Sequence, residues 1–397
     1  MQKIILGVTG GIAAYKAAEL ARLFVRNGTE IQVVMTPAAA EFVAPLTFQT
    51  LTERPAYVEM YAQRSGDKIR HIELLDGADV LVIAPATANT IAKMAAGIAD
   101  NLLTTIYLAA DCPVVVVPSM NVRMYEHPAL QENLAKLRSR GCNVMDPDAG
   151  ELACGVYGRG RMPEPADIFA FTRAALMPKD FNGLQALVTA GPTCEHLDPV
   201  RFLSNPSTGL MGYSLARALS ERGAQVTLIS GPTHLAAPAG VKTIAVTSAD
   251  QMYTAVMENY AGNRLIIKAA AVSDFRPLDS AGQKVKKNEA GMLLELVPNH
   301  DILSELGTKK GDHILVGFAA ETESAVENAH DKLIRKNLDL IIVNNLNEPG
   351  AGFAVPTNRV SIINRRGTVE ELPLMAKADL AHHILDRVGD LLLEKLE

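Results

Sequence analysis

Gly7-Val8-Thr9-Gly10-Gly11-Ile12-Ala13-Ala14-Tyr15-Lys16, entered through the apolar run that begins at Lys3, reads as a buried strand, a glycine turn and a helix start. Backbone N–H groups at such a helix terminus favour a phosphate. The spacing is neither GxGxxG nor a P-loop, since no Gly-Lys-Ser/Thr follows, and alone the segment also fits a tight structural turn. Short β-branched runs alternate with helical patterns along the whole chain, which predicts parallel sheets covered by helices, an α/β class. Strands are expected at residues 3–8, 31–35, 80–84 and 114–117. A second set is expected at 184–189, 225–229, 264–267, 314–317, 338–343 and 360–364, with a closing helix at 376–396. Their near-continuous apolar character means burial on both faces, and ligands of such sheets bind beyond the carboxyl ends of the strands.

A chain of 397 residues exceeds one ordinary core and suggests two domains of about 150–200 residues each. The turn-rich stretch Met177-Pro178-Lys179-Asp180-Phe181-Asn182-Gly183 is the expected linker, giving domains 1–178 and 179–397. A net charge of −6 argues against nucleic acid and anionic membranes as partners, since either would need a basic surface. No run reaches the roughly 18 uninterrupted apolar residues of a membrane span, and the first run is broken by glycines, as in a strand rather than a signal segment. The four cysteines, Cys112, Cys142, Cys154 and Cys194, show no CxxC spacing and fit a reducing compartment. The expectation is a soluble, cytoplasmic protein.

Four more segments of the first half carry chemistry: Arg70-His71-Ile72-Glu73-Leu74, Pro85-Ala86-Thr87-Ala88-Asn89-Thr90, Pro118-Ser119-Met120-Asn121-Val122-Arg123-Met124-Tyr125 and Ala153-Cys154-Gly155-Val156-Tyr157-Gly158-Arg159-Gly160-Arg161-Met162. In this order, residues 1–175 resemble the flavin-dependent cysteine decarboxylases. Thr87 stands where many members have serine, and Tyr125 where the PxMNxxMW pattern has tryptophan. Decarboxylating a cysteine-derived acid would leave an unstabilised carbanion, so an electron sink is needed, and cofactors supply those. The resemblance implies FMN, held by Gly10, Gly11, Ile12, Thr36, Thr87, Ala88, Asn89 and Thr90. It also implies His71 as the active-site histidine, Asn121 as the ligand of the substrate carboxylate, and Cys154 as a proton donor. The other three thiols read as core residues. Arg161 fits a phosphate ligand or a solvated loop arginine equally.

In the second half, Thr189-Ala190-Gly191-Pro192-Thr193-Cys194-Glu195-His196-Leu197-Asp198-Pro199-Val200-Arg201-Phe202-Leu203-Ser204-Asn205-Pro206-Ser207-Thr208-Gly209-Leu210-Met211-Gly212 is dense in turn formers yet leads into a helix. With Gln283-Lys284-Val285-Lys286-Lys287, it resembles the phosphopantothenate–cysteine ligases over residues 184–397. That family commonly follows the decarboxylase in one bacterial polypeptide. The resemblance implies amide formation between 4'-phosphopantothenate and cysteine through an acyl-cytidylate, with CTP and Mg2+, the metal ligands being unknown. Negative charge builds on phosphorus in both steps, so cations and pre-aimed donors should dominate. By itself the lysine cluster is a solvated loop; the resemblance makes Lys284 the phosphoryl-stabilising candidate, Asn205 the residue securing the intermediate and Arg201 a support for its turnover. The implied CTP pocket comprises Ala269, Ala270, Asp274, Lys284, His300, Asp301, Ile302, Leu303, Phe318, Lys332 and Lys336. Phe318 reads as an aromatic at a strand end. Lys332 and Lys336 share a helix face that could equally be plain exposed surface.

Leu210 replaces a patterned lysine, and Pro298-Asn299-His300-Asp301 moves a proline of the family pattern. The implied assembly is a homo-oligomer, with trimeric flavin domains and dimeric ligase domains in a dodecamer. Both halves are expected to be Rossmann-like, the first a decarboxylase fold and the second a nucleotide-binding ligase fold. Two rivals are weaker. A pyridine-nucleotide oxidoreductase would need GxGxxG and an acidic residue at the end of its second strand, whereas Glu30 precedes that strand. A regulatory flavin-binding subunit would not need the Cys154 segment or a complete ligase.

Overall fold

The computed structural model describes residues 2–60, 70–151, 155, 157–286, 292–321, 325–345, 352 and 355–395. The chain divides into two compact units, Met1–Met177 and Pro178–Glu397.

In the first unit β1 (Lys3–Val8), β2 (Glu30–Met35), β3 (Val80–Ala86), β4 (Val114–Pro118) and β5 (Asn143–Val144) form a parallel sheet of order β2-β1-β3-β4-β5. Alternate residues feed two cores. Ile4, Leu6 and Val8 pack with Leu20 and Phe24 of the helix Ala14–Arg26. Ile5, Leu81 and Ile83 pack with Ile91, Leu103 and Leu134 of the helices Ala88–Ala96, Leu102–Ala109 and Pro128–Ser139. Ala14, Ala17, Leu20, Ala21 and Phe24 follow helical spacing, which is why that segment turns an apolar stripe onto the sheet. A hairpin follows, β6 (Asp148–Glu151) and β7 (Tyr157–Arg161). The chain runs from β1 to β2 on one side and then crosses to β3 on the other, so the switch point lies between β1 and β3.

The second unit contains β8 (Gln185–Ala190), β9 (Cys194–His196), β10 (Phe202–Ser204), β11 (Gln225–Ser230), β12 (Lys242–Ala245), β13 (Leu265–Lys268), β14 (Phe275–Pro277), β15 (Leu296–Pro298), β16 (Ile314–Glu321), β17 (Leu340–Asn345), β18 (Thr357–Asn358), β19 (Val360–Asn364), β20 (Val369–Glu371) and β21 (Met375–Ala376). Its main sheet has the order β12-β11-β8-β13-β16-β17-β19-β20 and switches between β8 and β13. The helix Leu210–Glu221 sits so close to β8 that a Cβ on Gly212 would lie 2.5 Å from the Ala190 Cβ. The closing helix is Lys377–Glu394.

Two expectations are corrected. The sheet is not parallel throughout: β19 runs antiparallel to β17, and β20 runs antiparallel to β19, the latter because the short link after Asn364 is a hairpin turn with no room for a crossover helix. β16 continues to Glu321, which puts Phe318 inside the strand beside Ile342 rather than at its end. The linker residues pack into the second unit. Phe181 is buried in the second core, the Arg222 guanidinium lies 4.7 Å from its ring, and Arg222 also pairs with Asp180 and Asp386.

Independent folding follows from that packing. A fragment starting at Pro178 should unfold in one cooperative transition, whereas one starting at Leu184 loses the Phe181 anchor and about 3–5 kcal/mol. Equal denaturation midpoints for the two fragments would refute the anchor.

Candidate functional sites

Beyond the carboxyl ends of β1 and β3 lies a cavity of about 1110 Å³ lined by Gly10, Gly11, Ile12, Thr36, Thr87, Ala88, Asn89, Thr90 and Asn121. Thr9 Oγ1 ties its floor together, donating to the Pro85 carbonyl at 2.7 Å and accepting from the Thr87 N–H at 3.0 Å. Thr36 and Thr87 cap the helices that start beside them. The helix Ala14–Arg26 has no side-chain cap and no acidic residue in its first turn, leaving its N-terminal dipole directed at the cavity. Asn121 Oδ1 accepts from the Arg123 N–H at 2.9 Å. Ile12 and Met124 add exposed apolar surface.

The sequence reading missed Lys16 and Lys93, which also line this cavity. The Lys16 ammonium is buried and bonded to Glu164 at 2.9 Å, which holds that carboxyl below its ordinary range. Arg161 lines the cavity and pairs with Glu164 at 2.8 Å. His71 falls in the helix Arg70–Leu75, with its side chain outside the described residues, and Cys154 lies outside them altogether. Cys112 and Cys142 have thiols pushed up by burial, as expected of core residues.

The second cavity, about 630 Å³, opens beyond the carboxyl ends of β8 and β13. It gathers Asn205, Leu210, Ala269, Ala270, Asp274, His300, Asp301, Ile302, Leu303, Phe318, Lys332 and Lys336. Asn205 Nδ2 donates to the Ala271 and Val272 carbonyls at 3.1 and 3.3 Å. The altered loop is anchored by its asparagine: Asn299 Nδ2 donates to the Ser273 carbonyl and the Asn299 N–H to the Asp274 carbonyl. Asp301 caps the helix Ile302–Thr308 and pairs with Lys336 at 2.8 Å. Burial pushes its carboxyl up, but Lys336 and the Ser304 N–H outweigh that and bring it to about 2.

Lys268, at the end of β13, is the residue of this cleft that sequence reasoning passed over, because a lysine ending an apolar strand carries no pattern. Burial draws its ammonium down to about 8, with Lys336 and Lys332 adding to the effect and Asp301 and Asp274 opposing it.

Arg201 and Lys284 do not line the cavity. The Arg201 guanidinium binds the buried Asp198 carboxylate through Nε at 3.0 Å and Nη2 at 2.7 Å, and Nη2 also donates to the Val285 carbonyl at 2.6 Å. Asp198 accepts from the N–H groups of Val200, Arg201 and Val285. Burial opposes its charge, yet these donors hold it well below the carboxylate range. The pair therefore grips both backbone groups of Val285, and with them the chain carrying the exposed Lys284. Asp198 carries no legible role in the ligase motif, since only the fold brings residue 285 to it.

Among the described residues no group of three His, Cys, Asp or Glu side chains could hold a metal, and no helix is long and apolar enough to cross a membrane. The Flavoprotein family matches residues 1–177, and the DNA/pantothenate metabolism flavoprotein C-terminal domain matches residues 181–392. The chain is 45% identical over 394 residues to the coenzyme A biosynthesis bifunctional protein CoaBC of Bacillus subtilis (strain 168), covering 98% of this chain and 97% of the relative. It is 44% identical over 392 residues to the protein of that name from Vibrio cholerae serotype O1, covering 98% of each. A crystal structure of the C-terminal domain of a CoaBC protein is 38% identical, with a TM-score of 0.48, and covers 54% of this chain and 99% of its own. The chain belongs to the family of bifunctional coenzyme A biosynthesis proteins.

That family implies a flavin, and the first cavity fits one bearing a phosphate. The uncapped helix start offers backbone donors to the phosphate, and Gly10 is so close to the next helix that a Cβ would lie 2.5 Å from the Ala38 Cβ. Gly10→Ala should therefore displace the turn and lower bound flavin severalfold. Wild-type flavin absorbance in the purified variant would show that the close approach is not needed.

Proposed function

We propose that the second unit joins 4'-phosphopantothenate to cysteine using CTP, and that the first unit decarboxylates the product to 4'-phosphopantetheine with FMN. The chain is a bifunctional enzyme with decarboxylase and ligase activities. The observation that carries the reading is the lysine-lined cleft at the β8/β13 switch point, on the same chain as a phosphate-ready flavin cleft.

In the ligase unit, Lys268, Lys332 and Lys336 oppose the charge of the triphosphate as the carboxylate attacks the α-phosphorus and pyrophosphate leaves. Mg2+ accompanies the nucleotide. Backbone groups of Ala269, Ala270 and the His300–Leu303 loop read the base edge, where unpaired groups in a wrong complex cost affinity. Phe318 packs beside them. Asn205, anchored to Ala271 and Val272, forms the wall that holds the acyl-cytidylate. Arg201 acts with Asp198 to fix the backbone from which Lys284 reaches the phosphoryl group. The cysteine amine then displaces CMP.

In the decarboxylase unit, bound flavin supplies the reversible two-electron chemistry that makes loss of CO2 feasible. Asn121 receives the substrate carboxylate, His71 serves as the active-site histidine, and Cys154 returns the proton that completes the product. The same reading takes the protein as cytoplasmic, with flavin units in trimers and ligase units in dimers of a dodecamer.

Cys154→Ser should release CO2 yet stop at the oxidised enethiol; ordinary yields of 4'-phosphopantetheine would remove Cys154 from its role. For the ligase, pyrophosphate release should be far faster with CTP than with ATP at equal concentration, and Lys284→Gln should depress it. Equal rates would overturn the cytidine assignment. CTP affinity should also depend on pH through Lys268: constant while the ammonium is charged, weakening as pH rises through about 8. Lys268→Met should abolish that dependence, and an unchanged profile in the variant would assign the titration elsewhere.

A further inference from the structure

The cleft of the second unit is also lined by Asn344, Gly352, Asn358 and Lys377, which the nucleotide reading leaves unused. Asn344 lies in β17 and is 8% exposed; its Oδ1 is buried and has no hydrogen-bond partner. An acceptor left in that state costs about 1–3 kcal/mol. Lys377 opens the closing helix and is 5% exposed. Its Nζ donates to the Gly352 carbonyl at 3.0 Å, and no carboxylate pairs with it among the described residues. An ammonium carries three donors, so one carbonyl leaves both donors and charge to spare. Asn358 Oδ1 accepts from the N–H groups of Gly352 at 3.3 Å and Arg359 at 3.1 Å. Asn358 and Lys377 thus hold Gly352 by its N–H and its carbonyl, which fixes the lysine without neutralising it.

The lysines elsewhere in the cleft differ. Lys336 is neutralised by Asp301, and Lys268 feels Asp301, Asp274 and two lysines. Burial draws the Lys377 ammonium down. A buried ammonium with no carboxylate partner among the described residues and a buried acceptor with no donor line the same cavity, and together they suit a ligand that brings a carboxylate and an N–H.

We propose that Asn344 and Lys377 form the subsite for the α-amino acid cosubstrate, with its carboxylate on Lys377 Nζ and its amine N–H on Asn344 Oδ1. The inference rests on the ligase reading. An amide acceptor suits an amine that must attack an acyl group. It orients the N–H and leaves the lone pair free, whereas a carboxylate in its place would favour the unreactive ammonium.

The test uses the full chain and two amines, L-cysteine and cysteamine, the second lacking the carboxylate. Pyrophosphate release from CTP and 4'-phosphopantothenate without amine reports the first half-reaction. Lys377→Met should leave that release unchanged, raise the KM for L-cysteine about 10- to 100-fold and spare cysteamine. Lys377→Arg should restore the preference for L-cysteine. The ratio of kcat/KM for the two amines does not depend on the fraction of protein folded, so a partly unfolded variant still gives an answer. Asn344→Asp should move the pH profile of kcat/KM for both amines upward, because the new carboxylate retains the ammonium. Equal losses on both amines, or a raised KM for 4'-phosphopantothenate or CTP instead, would overturn the subsite. An unsubstituted chain that releases no pyrophosphate would remove the ligase reading and this inference together, whereas intact release with an unchanged cysteine preference in Lys377→Met removes this inference alone.

Discussion

A strand buried on both faces of a parallel sheet cannot turn straight back; its chain must travel over a helix before the next strand begins. Everything functional here descends from that constraint. It places β1 and β3 in one unit, and β8 and β13 in the other, side by side with their connections leaving in opposite directions. Between such connections a crevice remains open, and the helix starts and polar loop residues beyond the strands have nowhere else to point. Glycine sharpens both crevices. Gly10 lets the first turn approach Ala38, and Gly212 lets the helix Leu210–Glu221 lie against β8.

The two crevices solve different electrostatic problems. The first presents backbone donors, threonine hydroxyls and apolar surface, and its buried lysine is already neutralised by Glu164. Such a lining suits a ring system with one phosphate. The second gathers Lys268, Lys332 and Lys336 with Asp274 and Asp301, a charged lining that suits an anionic ligand. Desolvation makes each of these charges count for more than it would in water.

The Asp198–Arg201 pair joins fold to site in the second unit. Its carboxylate is buried, and five donors, from Val200, Arg201 and Val285, satisfy it. Breaking such a pair by removing one partner leaves an uncompensated buried charge, which costs far more than the loss of a surface contact. The linker belongs to the same logic. Asp180 and Phe181 are both bound to Arg222, and Phe181 is packed in the second core.

The sequence by itself determined the α/β class, the main strands within a residue or two at most ends, and the segments that line both crevices. It could do so because strand burial, turn formers and motif order are local properties written into contiguous residues. It did not foresee β20, the antiparallel direction of β19 and β20 or the length of β16, each of which depends on what packs alongside. Only the tertiary structure decided that Asp198 reaches Val285, that Lys268 stands among the cleft lysines, and that Asn344 and Lys377 face a common cavity. These residues lie far apart in sequence and follow no period. Their chemistry comes from the low dielectric and missing partners of the place where the chain deposits them, and neither exists until the sheet has closed over its helices.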